Sequence, residues 1–188
     1  DEVNGDTVDY SAIIDNQYKV VGNLSSSTIE VYNGSDILQK TDTIHDIENL
    51  TGGAGNDTLR GNTSKNTLKG GAGNDTLYVS SGGDFLFGEA GDDRFVFENG
   101  VDGTSVVIDG GTTNQTLGDT VDYSAITNNT YRLEVNLSNS AFAGIAAGNA
   151  LIKSGTTTIT THQTDTLIGI ENIIGTIITL SSIVRGKE

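Results

Sequence analysis

A nine-residue period runs in unbroken register from Gly52 to Val96 and leaves the chain few ways to fold. Its steps are GGAGNDTLR (52–60), GNTSKNTLK (61–69), GGAGNDTLY (70–78), VSSGGDFLF (79–87) and GEAGDDRFV (88–96). The eighth position is always apolar: Leu59, Leu68, Leu77, Leu86 and Phe95. The sixth is Asp57, Asn66, Asp75, Asp84 and Asp93. Glycines at positions one, two and four permit positive φ and a close approach of neighbouring backbone, so most of each step reads as turn. The rest reads as a short strand that directs one side chain inward, the apolar eighth residue. Two steps complete one coil of a flattened right-handed roll, and their turns stack on alternate edges. The first, third and fifth steps share one edge, and the second and fourth share the other. With coils about 4.8 Å apart, Asp57, Asp75 and Asp93 form a column of carboxylates that repels itself unless compensated.

The pattern G-G-x-G-x-D-x-U-x resembles the calcium-binding repeat of the RTX exoproteins, which Gram-negative bacteria export by type I secretion. The resemblance implies an all-β fold, a parallel β-roll or solenoid, with calcium between the turns of one step and the next but one. Calcium is a hard cation that takes 6–8 oxygen ligands at roughly 2.3–2.6 Å. In the family, carbonyls at positions two and four and the aspartate of the first turn meet carbonyls at positions one and three and the aspartate of the second. Carried over, one site is Gly53, Gly55 and Asp57 with Gly70, Ala72 and Asp75; the next is Gly71, Gly73 and Asp75 with Gly88, Ala90 and Asp93. Asp75 is thus shared, and about two well-formed calcium sites are implied. The other edge departs from the pattern. Asn62, Ser64 and Asn66 stand where Gly, Gly and Asp belong, and Val79 and Ser80 replace two glycines. No tight ion is expected there, with at most a weak pairing of Asp84 with Asp102.

The segments flanking the repeats copy one another. GDTVDYSAI (5–13) returns at 118–126, QYKVVGNL (17–24) is answered by TYRLEVNL (130–137), and DTIHDIENLTG (42–52) by DTLIGIENIIG (165–175). Such self-similarity marks an array. We divide the chain into an N-terminal β flank (1–50), the roll (51–98), and a C-terminal capping segment with the second cassette (99–188). Leu50 lies nine residues ahead of Leu59, so the first flank should feed the roll as further coils. Alternation places Tyr131, Leu133, Val135 and Leu137 on one strand face. Only AFAGIAAGNALI (141–152) could turn briefly helical, and its glycines weaken that reading. After the repeats, Phe95, Phe97, Val106, Val107 and Ile108 are candidates to cap an apolar end that would otherwise aggregate.

The formal charge of −15 argues against nucleic acid, whose phosphates are met by Lys and Arg. With no cysteine, disulfides and thiolate metal sites are excluded. No apolar run approaches the length of a membrane span. His45 and His162 have no partner at zinc-ligand spacing. Asp9-Tyr10-Ser11 and its copy Asp122-Tyr123-Ser124 place an acid near a hydroxyl without a histidine base, so they read as turn and packing devices and the chain as no enzyme. Threonine arrays of the ice-binding kind are not matched, since Ala54, Ala72 and Ala90 stand at the third position. A self-cleaving Asp–Pro module is excluded by the absence of proline. The expectation is a calcium-triggered module of an extracellular, secreted or surface-displayed adhesin, monomeric as a fragment, with a cell-surface or polysaccharide ligand. The alternative is an accessory module of a secreted epimerase, lipase or protease, or of a pore-forming toxin.

Overall fold

Every short strand of the repeat buries its apolar residue and turns the neighbours outward, and this alternation builds the roll. The structure, a computed structural model, describes residues 5–98, 105–125, 131–136, 149–154 and 160–175. Before the repeats lie β1 (Thr7–Asp9), β2 (Lys19–Asn23), β3 (Thr28–Tyr32), β4 (Leu38–Thr43) and β5 (Asn49–Thr51). The repeats supply β6 (Thr58–Arg60), β7 (Thr67–Ala72), β8 (Thr76–Val79), β9 (Phe85–Ala90) and β10 (Arg94–Phe97). After them come β11 (Val107–Asp109), β12 (Thr120–Asp122), β13 (Tyr131–Asn136), β14 (Asn149–Ser154), β15 (Thr160–Ile168) and β16 (Asn172–Ile174). Among the described residues there is no helix.

The strands form two eight-stranded sheets. One has the order β1-β5-β7-β9-β11-β15-β14-β13, the other β16-β12-β10-β8-β6-β2-β3-β4. Successive strands alternate between sheets through the roll, and pairing there is parallel. The fold is an all-β parallel roll, as the nonapeptide period predicts. Leu50, Leu68, Leu86, Ile108 and Leu167 stack in one ladder. Leu59, Leu77, Phe95, Val121 and Ile173 stack in the facing one. Leu50, Leu59, Leu68, Leu77, Leu86 and Phe95 are all fully shielded from solvent, and each such side chain contributes about 1.5–3 kcal/mol. Below Leu59 the ladder position is Gly22. A Cβ there would stand 2.3 Å from Leu50 Cδ2, so Leu50 reaches across and fills the gap.

In the first flank β1 and β5 are parallel strands of one sheet, and β2 pairs in parallel with β6 in the other. The flank is not all coil, however. β2, β3 and β4 form an antiparallel meander, because two Asn-capped turns, at Asn23 and Asn33, reverse the chain after each strand. β13, β14 and β15 do the same on the other sheet. Of the capping candidates Phe95, Phe97, Val106 and Ile108 are buried, whereas Val107 faces outward on β11. Phe97 stacks on Tyr123 with ring centroids 4.3 Å apart. Asn149–Ile152, the end of the stretch considered for a helix, belongs to strand β14. Residues 141–148, Leu137 and the side chains of Tyr131, Leu133 and Val135 lie outside what the structure describes.

The copied flanks repeat in three dimensions. β1 pairs with β5 as β12 pairs with β16. The amide of Asp6 donates to Glu48 Oε2 at 2.8 Å, and that of Asp119 donates to Glu171 Oε2 at 2.8 Å. Tyr10 donates its hydroxyl proton to Asp42, as Tyr123 does to Asp165. The acids of the two Asp-Tyr-Ser triplets accept the Ser11 and Ser124 amides, which makes both triplets turns.

Candidate metal centre

The turns that precede β6, β8, β10 and β12 stack along one edge, and their aspartates form a buried column. The amide of Asp57 donates to Asp75 Oδ1 at 2.7 Å, and that of Asp75 to Asp93 Oδ1 at 2.8 Å. The column does not stop where the repeats stop, since the Asp93 amide donates to Asp119 Oδ1 at 2.8 Å. All four side chains have at most 1% of their surface exposed.

The second oxygens differ along the column. Asp57 Oδ2 accepts the Gly53 amide at 2.6 Å, while its Oδ1 accepts the Val20 amide. Asp119 Oδ2 accepts from Gln115 Nε2. Between these capped ends, Asp75 Oδ2 and Asp93 Oδ2 are buried and accept no hydrogen bond. Leaving such an oxygen unpaired in the interior costs several kcal/mol when it is charged. The ion pairs among the described residues lie elsewhere, between Lys19 and Asp36, Lys40 and Asp42, Arg60 and Glu98, and Arg94 and Asp122. Burial, as the largest cause, pushes Asp75 up to about 9, with the carboxylates of Asp57 and Asp93 adding to it. Burial likewise raises Asp57 and Asp93 to about 6 and Asp119 to about 7.

Glycines line the space around these oxygens. A methyl group added at Gly70 would lie 2.1 Å from Asp75 Oδ2 and 2.9 Å from the Gly88 carbonyl oxygen. One added at Gly52 would lie 2.2 Å from Asp57 Oδ2 and 2.4 Å from the Gly70 carbonyl oxygen. Gly71 and Gly73 have φ of 110° and 111°, and a Cβ on them would strike the carbonyl oxygens of Gly53 at 2.3 Å and Gly55 at 2.4 Å. The structure therefore brings Gly53, Gly55, Asp57, Gly70 and Asp75 together between the first two turns. Gly88 and Asp93 meet Asp75 between the next two, where the Ala90 carbonyl also accepts the Gly73 amide at 2.8 Å. Ala72 approaches the first turn through its amide, which donates to the Gly53 carbonyl at 3.0 Å. Among the described residues no three His, Cys, Asp or Glu side chains gather in one place. The donors are instead paired carboxylates among backbone carbonyls, an all-oxygen set that suits a hard divalent cation.

The opposite edge is closed on itself. Asn66 Oδ1 accepts the Asn62 amide, and its Nδ2 donates to the Glu48 carbonyl. Asp84 accepts from the Asn66 amide, the Ser80 amide and the Ser80 hydroxyl. The register place above Asp84 belongs to Val106, because β9 pairs with β11 as Phe85 with Val107. Asp102, the residue expected there from strict nine-residue counting, lies outside the described residues.

The family described as RTX calcium-binding nonapeptide repeat (4 copies) matches residues 46–77 and 69–103. The central segment is an RTX calcium-binding roll. No curated protein matches the chain. The RTX roll explains why the oxygens converge as they do: the repeat binds calcium, and the residues present fit that ion. Bound calcium supplies positive charge to carboxylates that the polypeptide leaves unpaired. What this chain contributes is position, with carbonyls aimed by glycine turns and carboxylates fixed through Oδ1 by the amide of the coil below. Sequence reasoning missed Asp119, although its neighbourhood Gly110-Gly111…Gly118-Asp119 carries the glycine pair and the aspartate at a wider spacing.

Proposed function

We propose that this RTX roll is a calcium-triggered folding module of a large secreted or surface-displayed adhesin. The observation that carries the reading is the buried pair Asp75 Oδ2 and Asp93 Oδ2, which accept no hydrogen bond. In a calcium-poor cytosol such a column opposes folding, and glycine-rich turns add a large conformational entropy cost. Extracellular calcium at millimolar levels suits sites of roughly 10⁻⁴–10⁻³ M affinity, and binding then supplies folding free energy. The two carried-over sites, between the turns of Asp57 and Asp75 and of Asp75 and Asp93, are part of this proposal.

The duplicated cassette supports an array, and so an adhesin over an accessory module of a secreted enzyme or a toxin. The same bonds recur at Asp6–Glu48 and Asp119–Glu171, and a unit built to be stacked again is what a long stalk requires. A surface glycan or cell-surface ligand is the partner this reading favours.

A calcium titration followed by circular dichroism tests it. The β signal and protease resistance of the roll should fall in chelator and return at millimolar calcium, with magnesium a poor substitute because it dehydrates reluctantly. Identical spectra with and without calcium would refute the proposal.

A further inference from the structure

We propose that a further calcium ion binds beyond the repeats, between the turn Gly88–Asp93 and the long turn Gly110–Asp119, held by Asp93, Asp119 and the Gly110 carbonyl. The inference rests on the calcium reading of the roll and extends it to a turn that lies past residue 103, where the family match ends.

Asp93 carries the argument. Its side chain is 1% exposed, its Oδ2 accepts no hydrogen bond, and that oxygen faces the turn above. A methyl group on Gly88 would sit 2.2 Å from Asp93 Oδ2 and 2.7 Å from the Gly110 carbonyl oxygen. The cradle at Gly70, between Asp75 Oδ2 and the Gly88 carbonyl, is built the same way. The upper wall matches as well. Asp119 is fully buried and takes the Asp93 amide on Oδ1, in the manner of Asp93 and Asp75 one and two coils below. β10 pairs with β12 as Arg94 with Thr120, so Asp119 stands directly over Asp93.

Backbone conformation agrees. Gly111 has φ of 94° and Glu89, directly below, has φ of 74°; a Cβ on Gly111 would lie 2.0 Å from the Glu89 carbonyl oxygen. That carbonyl is therefore aimed upward, as the Gly53 carbonyl is toward Gly71. A non-glycine residue in this conformation is strained, and the strain turns a carbonyl toward the cradle. Arg94, next to Asp93 in the chain, does not compete, because it pairs with Asp122. Gln115 closes the column above, since its amide group donates to Asp119 Oδ2 and to the Gly111 carbonyl. The series of sites then ends at Asp119.

The step from Asp93 to Asp119 spans 26 residues where the repeats span 18. Period alone hides the site, and stacking restores it. Asp93 consequently bridges two ions, as Asp75 does.

Native mass spectrometry of the whole chain at saturating calcium counts the ions directly, with circular dichroism reporting the fold of each variant. Asn66 shows that an amide is accommodated at a sixth position, so Asp119→Asn is the conservative probe. Asp119→Asn should lose one ion, and Asp93→Asn should lose two. A folded Asp119→Asn chain that keeps the wild-type count overturns the site, as does an Asp93→Asn chain that loses a single ion. If Asp119→Asn does not fold, the Asp93→Asn count decides. Should Asp75→Asn lose ions while Asp119→Asn loses none, this site falls and the calcium reading stands. A wild-type chain that binds none sinks both.

Discussion

Asp75 and Asp93 are locked coil to coil by one bond, from the Asp75 amide to Asp93 Oδ1 at 2.8 Å, while the second oxygen of each carboxylate stays buried and unpaired. The fold itself thus positions acceptors that it does not satisfy.

The two edges should respond differently to loss of the sixth side chain. Asp75→Ala removes a carboxylate shared by two cradles, so calorimetry should show calcium stoichiometry lower by two, or no binding. Asn66→Ala removes an amide whose hydrogen bonds are all internal, and should leave the stoichiometry unchanged. Loss of an ion in Asn66→Ala would mean that the edges have been assigned wrongly.

Packing offers a second contrast on one strand. Leu77 is fully buried between Leu59 and Phe95, and Leu77→Ala should cost about 2–5 kcal/mol. Its neighbour Thr76 is only half-buried and points away from the ladder. Thr76→Ala should cost under about 0.5 kcal/mol. Denaturant titrations in saturating calcium compare them, and equal losses would contradict the register.

Acidity should replace calcium in part. In the metal-free chain Asp75 is raised to about 9, and Asp57, Asp93 and Asp119 to between about 6 and about 7. A carboxyl group raised above its unfolded value near 4 favours the folded state when protonated. That stabilisation is complete below pH ~4 and is lost as pH climbs through the folded values. Without calcium the β signal should be strongest below pH ~4 and fade as pH climbs from about 4 to about 9. Calcium affinity should rise over the same window, since the ion competes with protons. A calcium-free roll that gains β signal from pH 6 to 9 would contradict the burial of these groups.

How much of this was legible in the sequence depends on spacing. Leu59, Leu68, Leu77, Leu86 and Phe95 recur at one interval, so both ladders and the alternation of edges follow from counting. The column from Asp57 to Asp93 follows too, because stacking repeats the same 18-residue coil. Counting fails once the chain inserts residues between coils. Val106 holds the place above Asp84 that counting gave to Asp102, and Asp119 continues the other column after a longer excursion. What is preserved across the insertions is parallel pairing, a long-range property that no fixed period encodes. The meanders escaped notice for a related reason: β2 and β13 alternate like roll strands, and only the turns that follow decide that the chain doubles back.

Because the amide-to-carboxylate bonds and the strand pairings both run along the stacking direction, the coils are joined like links in series. Tension applied along that direction loads each junction equally, and the weakest opens first. A coil of 18 residues drawn out straight adds roughly 60 Å of length. Pulled in calcium, such a chain should lengthen in discrete increments and shorten again as ions return, which would make it a tether that yields in stages instead of snapping.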